Sequence, residues 1–291
     1  MRVFITGGTG LIGSAVVAEL LGHGHTVLAL ARSDSAAGAL EAAGAEPLRG
    51  SLADLDTLRA GARRSEGVIH LAFGHDFTTP EAIAAAIAEE NAAVGAMGQE
   101  LGGTDRPLVT VAGTPAVPGR PSTEADPQPA SGPVAGRAIT VQSVLDLAGA
   151  RGIAVRMPRT VHNNGAGGFA GILTRMARAS GVAGYPGDGA QRWPAVHALD
   201  AAALFRLALE SAPAGTAWHA VADEGVAVAD MAEVIGRRLE VPVRSLPVEA
   251  FGPLGVAFAT DQPSSSAYTR ETLGWTPTHP GLLEDLENIQ R

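Results

Sequence analysis

"FITGGTGLIG", residues 4–13, decides how this chain is read. Gly7, Gly10 and Gly13 follow an apolar run at the spacing G-x-x-G-x-x-G. In a strand–turn–helix unit each has its own task. Gly7 allows the tight turn, Gly10 lets backbone approach a pyrophosphate, and Gly13 lets the helix pack close. Thr9, Leu11 and Ile12 complete the loop and open a helix whose positive end faces the phosphates. Such a triplet is informative only behind a strand and ahead of an amphipathic helix, and both conditions are met here. The stretch therefore predicts a dinucleotide cradle.

Working outward, short apolar runs at Val3–Thr6, Thr26–Ala31, Glu46–Leu48, Gly67–Phe73, Pro107–Ala112 and Gly152–Met157 alternate with Ala-rich helical segments. The helical segments are Leu11–Gly22, Leu52–Gly61, Pro80–Leu101 and Ala138–Gly149. This alternation predicts an α/β fold, a Rossmann-type doubly wound parallel sheet, whose strands are apolar throughout because both faces are covered. Residues 113–137 then hold six prolines and read as a long loop or lid. Beyond residue 160 the chain turns Gly-rich. We expect a nucleotide-binding domain over 1–160, completed by about 194–222. A smaller discontinuous C-terminal substrate lobe is expected from 161–193 and 223–291. Ligands are expected beyond the carboxyl ends of the strands.

Composition narrows the chemistry. The 291 residues carry a net charge of −9 with arginines scattered, which argues against a nucleic-acid or anionic-membrane partner. There is no cysteine, so thiol catalysis and cysteine metal sites are excluded. No His/Asp/Glu spacing suggests a metal site. All 21 basic residues are arginine, so no step can use a lysine. No targeting segment or membrane span is read, and a cytoplasmic protein is expected.

The end of the second strand, "HTVLALARSD", bears on the cofactor. An NAD site wants an acid there for the ribose hydroxyls. The chain instead has Ala31, then Arg32 and Ser33. A small residue followed by a guanidinium suits a 2′-phosphate, which favours NADP(H) over NAD(H). Asp34, 21 residues beyond Gly13, is the alternative ribose acid.

Together these motifs resemble the extended short-chain dehydrogenase/reductases of the NAD-dependent epimerase/dehydratase type. "TGGTGLIG" is similar to that family's glycine motif, and "RGSLADLDTL" to its Gly-Asp-Leu segment, with Ser51 in place of the Asp. "VIHLAF" resembles its fourth strand, and "RETLGWTP" its Leu-Gly-Trp-x-Pro. The resemblance implies that Leu52, Leu71, Ala72 and Pro158 line the cofactor. It also implies a homodimer through helices resembling Pro80–Leu101 and Ala138–Gly149.

One part of the family pattern is missing. The Tyr-x-x-x-Lys pair would fall near Val134 and Ala138, in "PVAGRAIT", and the two tyrosines, Tyr185 and Tyr268, lie far downstream. The family's Ser position falls on Gly113, with Thr114 next to it as a substitute hydroxyl. Arg137 offers a fixed positive charge in place of the lysine, without giving up a proton. For proton transfer a histidine is expected. His162, in "MPRTVHNNG", is the first choice, and His75, after the fourth strand, the second. Arg192, Trp193 and His197, in "RWPAVH", are expected to bind substrate.

The sequence thus predicts an NADPH-dependent oxidoreductase acting on a small carbonyl, enone or imine substrate through non-standard catalytic residues. The alternatives are a non-redox isomerase, cyclase or dehydratase on the same scaffold, or a binding protein that senses NADP(H).

Overall fold

A computed structural model of the chain describes residues 1–74, 79–128 and 135–290. His75 and Val134 lie outside the described residues.

The strands of the main sheet are β1 (Arg2–Thr6), β2 (Thr26–Ala31), β3 (Glu46–Arg49), β4 (Gly67–His70), β5 (Pro107–Gly113) and β6 (Arg151–Met157). Helices α1 (Leu11–Gly22), α2 (Asp34–Ala42), α3 (Leu55–Arg63), α4 (Pro80–Leu101) and α5 (Arg137–Leu145) connect them. Further along come β7 (Thr160–His162), α6 (Gly168–Ser180), β8 (Ala183–Pro186), β9 (Arg192–His197), α7 (Ala198–Ser211), β10 (Thr216–His219) and β11 (Asp223–Ala227). The chain ends through α8 (Val228–Leu239), β12 (Val243–Leu246), a 3-10 turn (Val248–Leu254), α9 (Gly255–Ala259), α10 (Ala267–Leu273) and α11 (Leu282–Leu286).

Seven strands form the sheet in the order β10-β6-β5-β4-β1-β2-β3, with parallel pairing from β3 through β2, β1 and β4 to β5. Strand order reverses between β1 and β4, the switch point at which open α/β sheets bind ligands. Phe4, Leu28, Val68 and Leu108 face α3, α4 and α5 through Leu58, Val94, Met97 and Val144. Alternation along β1 turns Ile5 to the opposite face, against Val17 of α1 and Leu40 of α2. The α/β sheet expected from sequence is the fold observed.

The chain divides into two compact units. The first holds residues 1–112, 128–156 and 202–218, and the second 113–127, 157–201 and 219–291. Segments 113–127, 157–160, 194–201 and 219–222, assigned to the first domain on sequence grounds, group with the second unit. The described part of the Pro-rich stretch is not free loop. Ser122 N donates to Pro263 O at 3.0 Å, Ser265 N donates to Ser122 O at 2.8 Å, and the Ser122 and Ser264 hydroxyls are hydrogen-bonded at 2.8 Å.

In the second unit β9 is the centre of a three-stranded sheet, antiparallel to β11 and parallel to β7. Its core gathers Trp193, Phe251, Phe258, Leu173, Met231, Ile235, Leu282 and Leu286. The β7–β9 register sets His162 directly beside His197.

Candidate functional site

The glycine loop has the geometry its spacing implies. Gly7 has φ +76, and a Cβ on it would lie 2.8 Å from Ala72 N and 2.9 Å from Leu71 C. The β4 exit, at Leu71 and Ala72, is therefore pressed against the turn. A Cβ on Gly13 would lie 2.0 Å from Gly7 O, so α1 sits too close for any side chain there. Gly10 is different. Among the described residues, a Cβ on it would come no closer than 3.5 Å to a non-adjacent atom, at Gly7 O. Packing within the protein does not require glycine at that position, whereas the close approach of a ligand does. Helix α1 has no side-chain cap and no acid in its first turn, and Leu11 is 41% exposed. Its leading N–H groups precede the first intrahelical bond, Ser14 N to Gly10 O. The residues present fit a dinucleotide phosphate.

At the end of β2, Ala31 is buried and Arg32 is exposed, with no hydrogen bond or ion pair among the described residues. Ser33 caps α2, its hydroxyl accepting from Ala36 N at 3.2 Å. Asp34 is bound by Arg49 Nη2 at 2.6 Å. Ser51, where the family has Asp, donates from N and Oγ to Asp54 at 2.8 and 3.0 Å. Leu52 packs on the core below.

Beneath the cradle runs a buried polar chain. Thr6 and His70 are register partners, and Thr6 Oγ1 lies 2.8 Å from His70 Nδ1. Ala72 N donates to the same hydroxyl at 3.3 Å. His70 Nε2 faces Glu90 Oε1 at 3.9 Å. Glu90, 1% exposed, takes the Arg137 guanidinium as a fork, at 2.9 Å from Nε and 2.5 Å from Nη2. Burial, and secondarily the Arg137 charge, push His70 down to about 3, so the ring is neutral. Arg137 also covers the Phe73 ring at 4.3 Å. The cation expected to stand in for the lysine is thus neutralised inside the first unit, tying α5 to α4.

In the second unit, His162 is 1% exposed and its Nδ1 lies 2.9 Å from Asp285 Oδ2. Gly165 N donates to the same oxygen at 3.0 Å. Burial alone would raise Asp285. The bonds from His162 and Gly165 overcome it and hold the carboxyl below its ordinary value. An ionised Asp285 makes Nδ1 the donor, and Nε2 is left buried with no partner among the described residues. The His162 ring meets His197 edge-on at 5.4 Å, and His197 stacks on His279 at 4.8 Å. Asp200 closes the row, accepting from Thr278 N, His279 N and the His279 ring. Leu199 N donates to His197 Nδ1 at 3.3 Å. Burial, then the His162 and His279 rings, lower His197 against the pull of Asp285 and Asp200.

Thr114 is buried, its N bonded to Met157 O. Gln262 Nε2 donates to Thr114 O at 2.5 Å and reaches Thr114 Oγ1 at 3.3 Å. The hydroxyl accepts there, so its hydrogen remains to be given. Pro158 is buried between β6 and β7. Arg192 is forked onto Asp261, with Nε–Oδ1 at 3.2 Å and Nη2–Oδ2 at 2.9 Å. Trp193, expected to stack on substrate, is instead core. It is 0% exposed and packs on Phe169 and Phe258, because alternation along β9 turns it inward.

Asp285, Gln262 and Glu90 were not legible in the sequence. Asp285 lies 123 residues from His162, and Gln262 lies 148 from Thr114. No local spacing links either pair. Among the described residues no group of three or more His, Asp or Glu can hold a metal ion, and no helix is long and apolar enough to cross a membrane.

Comparison with known proteins bears on this geometry. An uncharacterized protein of Schizosaccharomyces pombe is 42% identical over 294 residues, covering 98% of each chain. A 4-hydroxy-2-methyl-3-oxo-4-farnesyl-3,4-dihydroquinoline-1-oxide ketoreductase of Stigmatella aurantiaca is 39% identical over 72 residues, 25% of this chain and 22% of its own. A UDP-glucose 4-epimerase from Thermotoga maritima, solved with UDP-glucose, shares the fold at TM-score 0.80 and 20% identity, over 99% of this chain and 97% of its own. The model of the NAD dependent epimerase/dehydratase family matches residues 3–220, and the chain belongs to that family.

Proposed function

We propose that the protein is an NADPH-dependent reductase of a small carbonyl, enone or imine compound, with His162 as the proton-transferring residue. The observation that carries this reading is the Asp285–His162 pair. An ionised carboxylate orients the imidazole through Nδ1 and leaves Nε2 buried and unpartnered. Imidazole exchanges protons near neutral pH, which suits the absence of a tyrosine–lysine pair. Thr114, anchored by Gln262, supplies a hydroxyl hydrogen to orient a carbonyl oxygen.

Gly7, Gly10, Gly13 and the start of α1 would hold the cofactor, which when bound supplies hydride. Arg32 would take the 2′-phosphate. Asp34 lies past the strand end, at the start of α2, and Arg49 Nη2 contacts one of its carboxylate oxygens at 2.6 Å. Part of the chain is also 39% identical to a ketoreductase. We further propose that the protein is a homodimer, on the strength of Ile139, which is 69% exposed on α5.

The test is NADPH consumption across a panel of ketones, enones and cyclic imines, with product identified by mass. Turnover by the native chain, lost in His162→Asn, supports the reading. NADPH bound but unconsumed across the panel overturns it in favour of non-redox chemistry or cofactor sensing.

A further inference from the structure

Among the described residues ten arginines are shown ion-paired with carboxylates, Arg192 among them. Arg159, between β6 and β7, is not. Others without a carboxylate spread their N–H groups over backbone. Arg106 donates to the carbonyls of Ala62, Ser65 and Glu100, and Arg151 to those of Asp105, Leu209 and Ala212. The Arg159 side chain makes a single hydrogen bond among the described residues, Nη1 to Ala257 O at 2.8 Å. Its Nε is buried with no partner among the described residues. Its guanidinium lies 5.3 Å from the Phe169 ring centre and 5.9 Å from that of Trp193. The nearby α6 N–H groups are already spent, Phe169 N on Arg159 O and Ala170 N on Thr160 Oγ1.

A guanidinium does not escape burial by losing its proton under ordinary conditions. Burial pulls this one down to about 10, still well above neutrality. Aromatic faces compensate part of the lost hydration, but they do not satisfy N–H groups in the guanidinium plane. A desolvated cation without a counter-ion is costly unless something supplies one. Nη2 makes no bond among the described residues and is not fully buried, so one edge of the fork remains open.

We propose that Arg159 is an anion-recognition residue, binding a carboxylate or phosphate carried by the substrate. The identification of that ligand as the substrate rests on the reductase reading; the anion site itself does not. Arg192, the arginine that sequence position suggested, has its fork filled by Asp261.

The test titrates the NADPH-loaded full chain with sodium benzoate and, separately, with inorganic phosphate, by calorimetry. NADPH affinity is followed by fluorescence. We expect one probe to bind, with affinity about tenfold or more weaker in Arg159→Gln and an intermediate loss in Arg159→Lys. NADPH affinity should stay within about twofold of the native value. Whichever probe binds identifies the anion as carboxylate or phosphate. Failure of both probes to bind the native chain, or equal binding by Arg159→Gln, overturns the proposal. So does a matching loss of NADPH affinity, which would assign the anion to the cofactor.

Native protein alone gives a second readout should Arg159→Gln not fold. Probe binding should be flat from about pH 6 to about pH 8, because the guanidinium does not titrate there. Binding that fades with rising pH would move the anion to a histidine and overturn the assignment. If benzoate is the probe that binds, carboxylate-bearing substrates should exceed their neutral amides in kcat/KM by about tenfold, and if phosphate binds, phosphorylated substrates should exceed their dephosphorylated forms likewise, a preference erased in Arg159→Gln. Probe binding without turnover of any compound would sink the reductase reading and leave the anion site standing. Turnover with no preference for substrates that carry the bound anion would overturn the assignment of that anion to the substrate.

Discussion

The cradle around Gly7–Gly13 and the cluster around His162 are built on opposite principles. The cradle is almost all backbone. Its working parts sit within ten consecutive residues, and their spacing can be read along the chain. The cluster is a row of side chains, held in part by main-chain N–H groups. His162, His197, His279, Asp200 and Asp285 come from β7, β9 and α7, the segment before α11, and α11 itself. A site made of main-chain N–H groups needs only room, which glycine spacing encodes. A site made of oriented side chains needs partners that only folding supplies.

Substitutions should separate the two. The largest effect is expected from Gly13→Ala. A Cβ 2.0 Å from Gly7 O forces α1 off the loop, costing about 3 kcal/mol of folding stability and most of the NADPH affinity. Thermal melts and fluorescence titration check it. Unchanged binding would show that the tight α1 packing is not what shapes the cradle.

Next in size is the cluster. His162→Asn should lower kcat by about 10²–10⁴-fold while leaving NADPH affinity intact. Asp285→Asn should lower kcat less and shift the pH profile, because the ring loses the carboxylate that orients it. Equal losses of kcat and cofactor binding would mean that the ring only supports the fold. Arg32→Ala should weaken NADPH binding by about tenfold or more and leave NADH almost unaffected. A uniform loss for both cofactors would return the ribose role to Asp34.

Within one pH unit of 6.5, the smallest effect concerns pH. His70 is neutral in the folded chain, down at about 3, and the unfolded chain takes up its proton near the ordinary value of 6.5. Between those values the unfolded state binds more protons. Stability therefore falls as pH drops below about 6.5, by at most ~1.4 kcal/mol per pH unit. His70→Gln should flatten that slope in urea titrations at stepped pH. A slope that survives would place the acid sensitivity elsewhere, for example at carboxylates that lose a partner.

The two regions were also unequally legible in the sequence. Apolar runs between Ala-rich segments carried the parallel sheet, and helices α1 and α4 begin and end where periodicity set them. His162 was selected for its place after the sixth strand, yet nothing near it foretold Asp285. Arg192 and Trp193 were chosen for their position on the returning segment. The fold pairs the first with Asp261 and buries the second, since neighbours on one strand point to opposite faces. Arg137 had the right charge, but Glu90, 47 residues away, already holds it.

By itself, then, the sequence determined the α/β sheet, the dinucleotide cradle and the absence of any lysine or cysteine chemistry. Those are properties of spacing and composition, which act locally or hold for any fold. The tertiary structure decided which polar side chains were already satisfied. It spent Arg137 and Arg192 on carboxylates, set His162 on Asp285, and left Arg159 half-buried with no carboxylate partner among the described residues. Whether a charge or a ring nitrogen is free depends on what folding brings within about 3 Å of it, and chain spacing does not encode that distance.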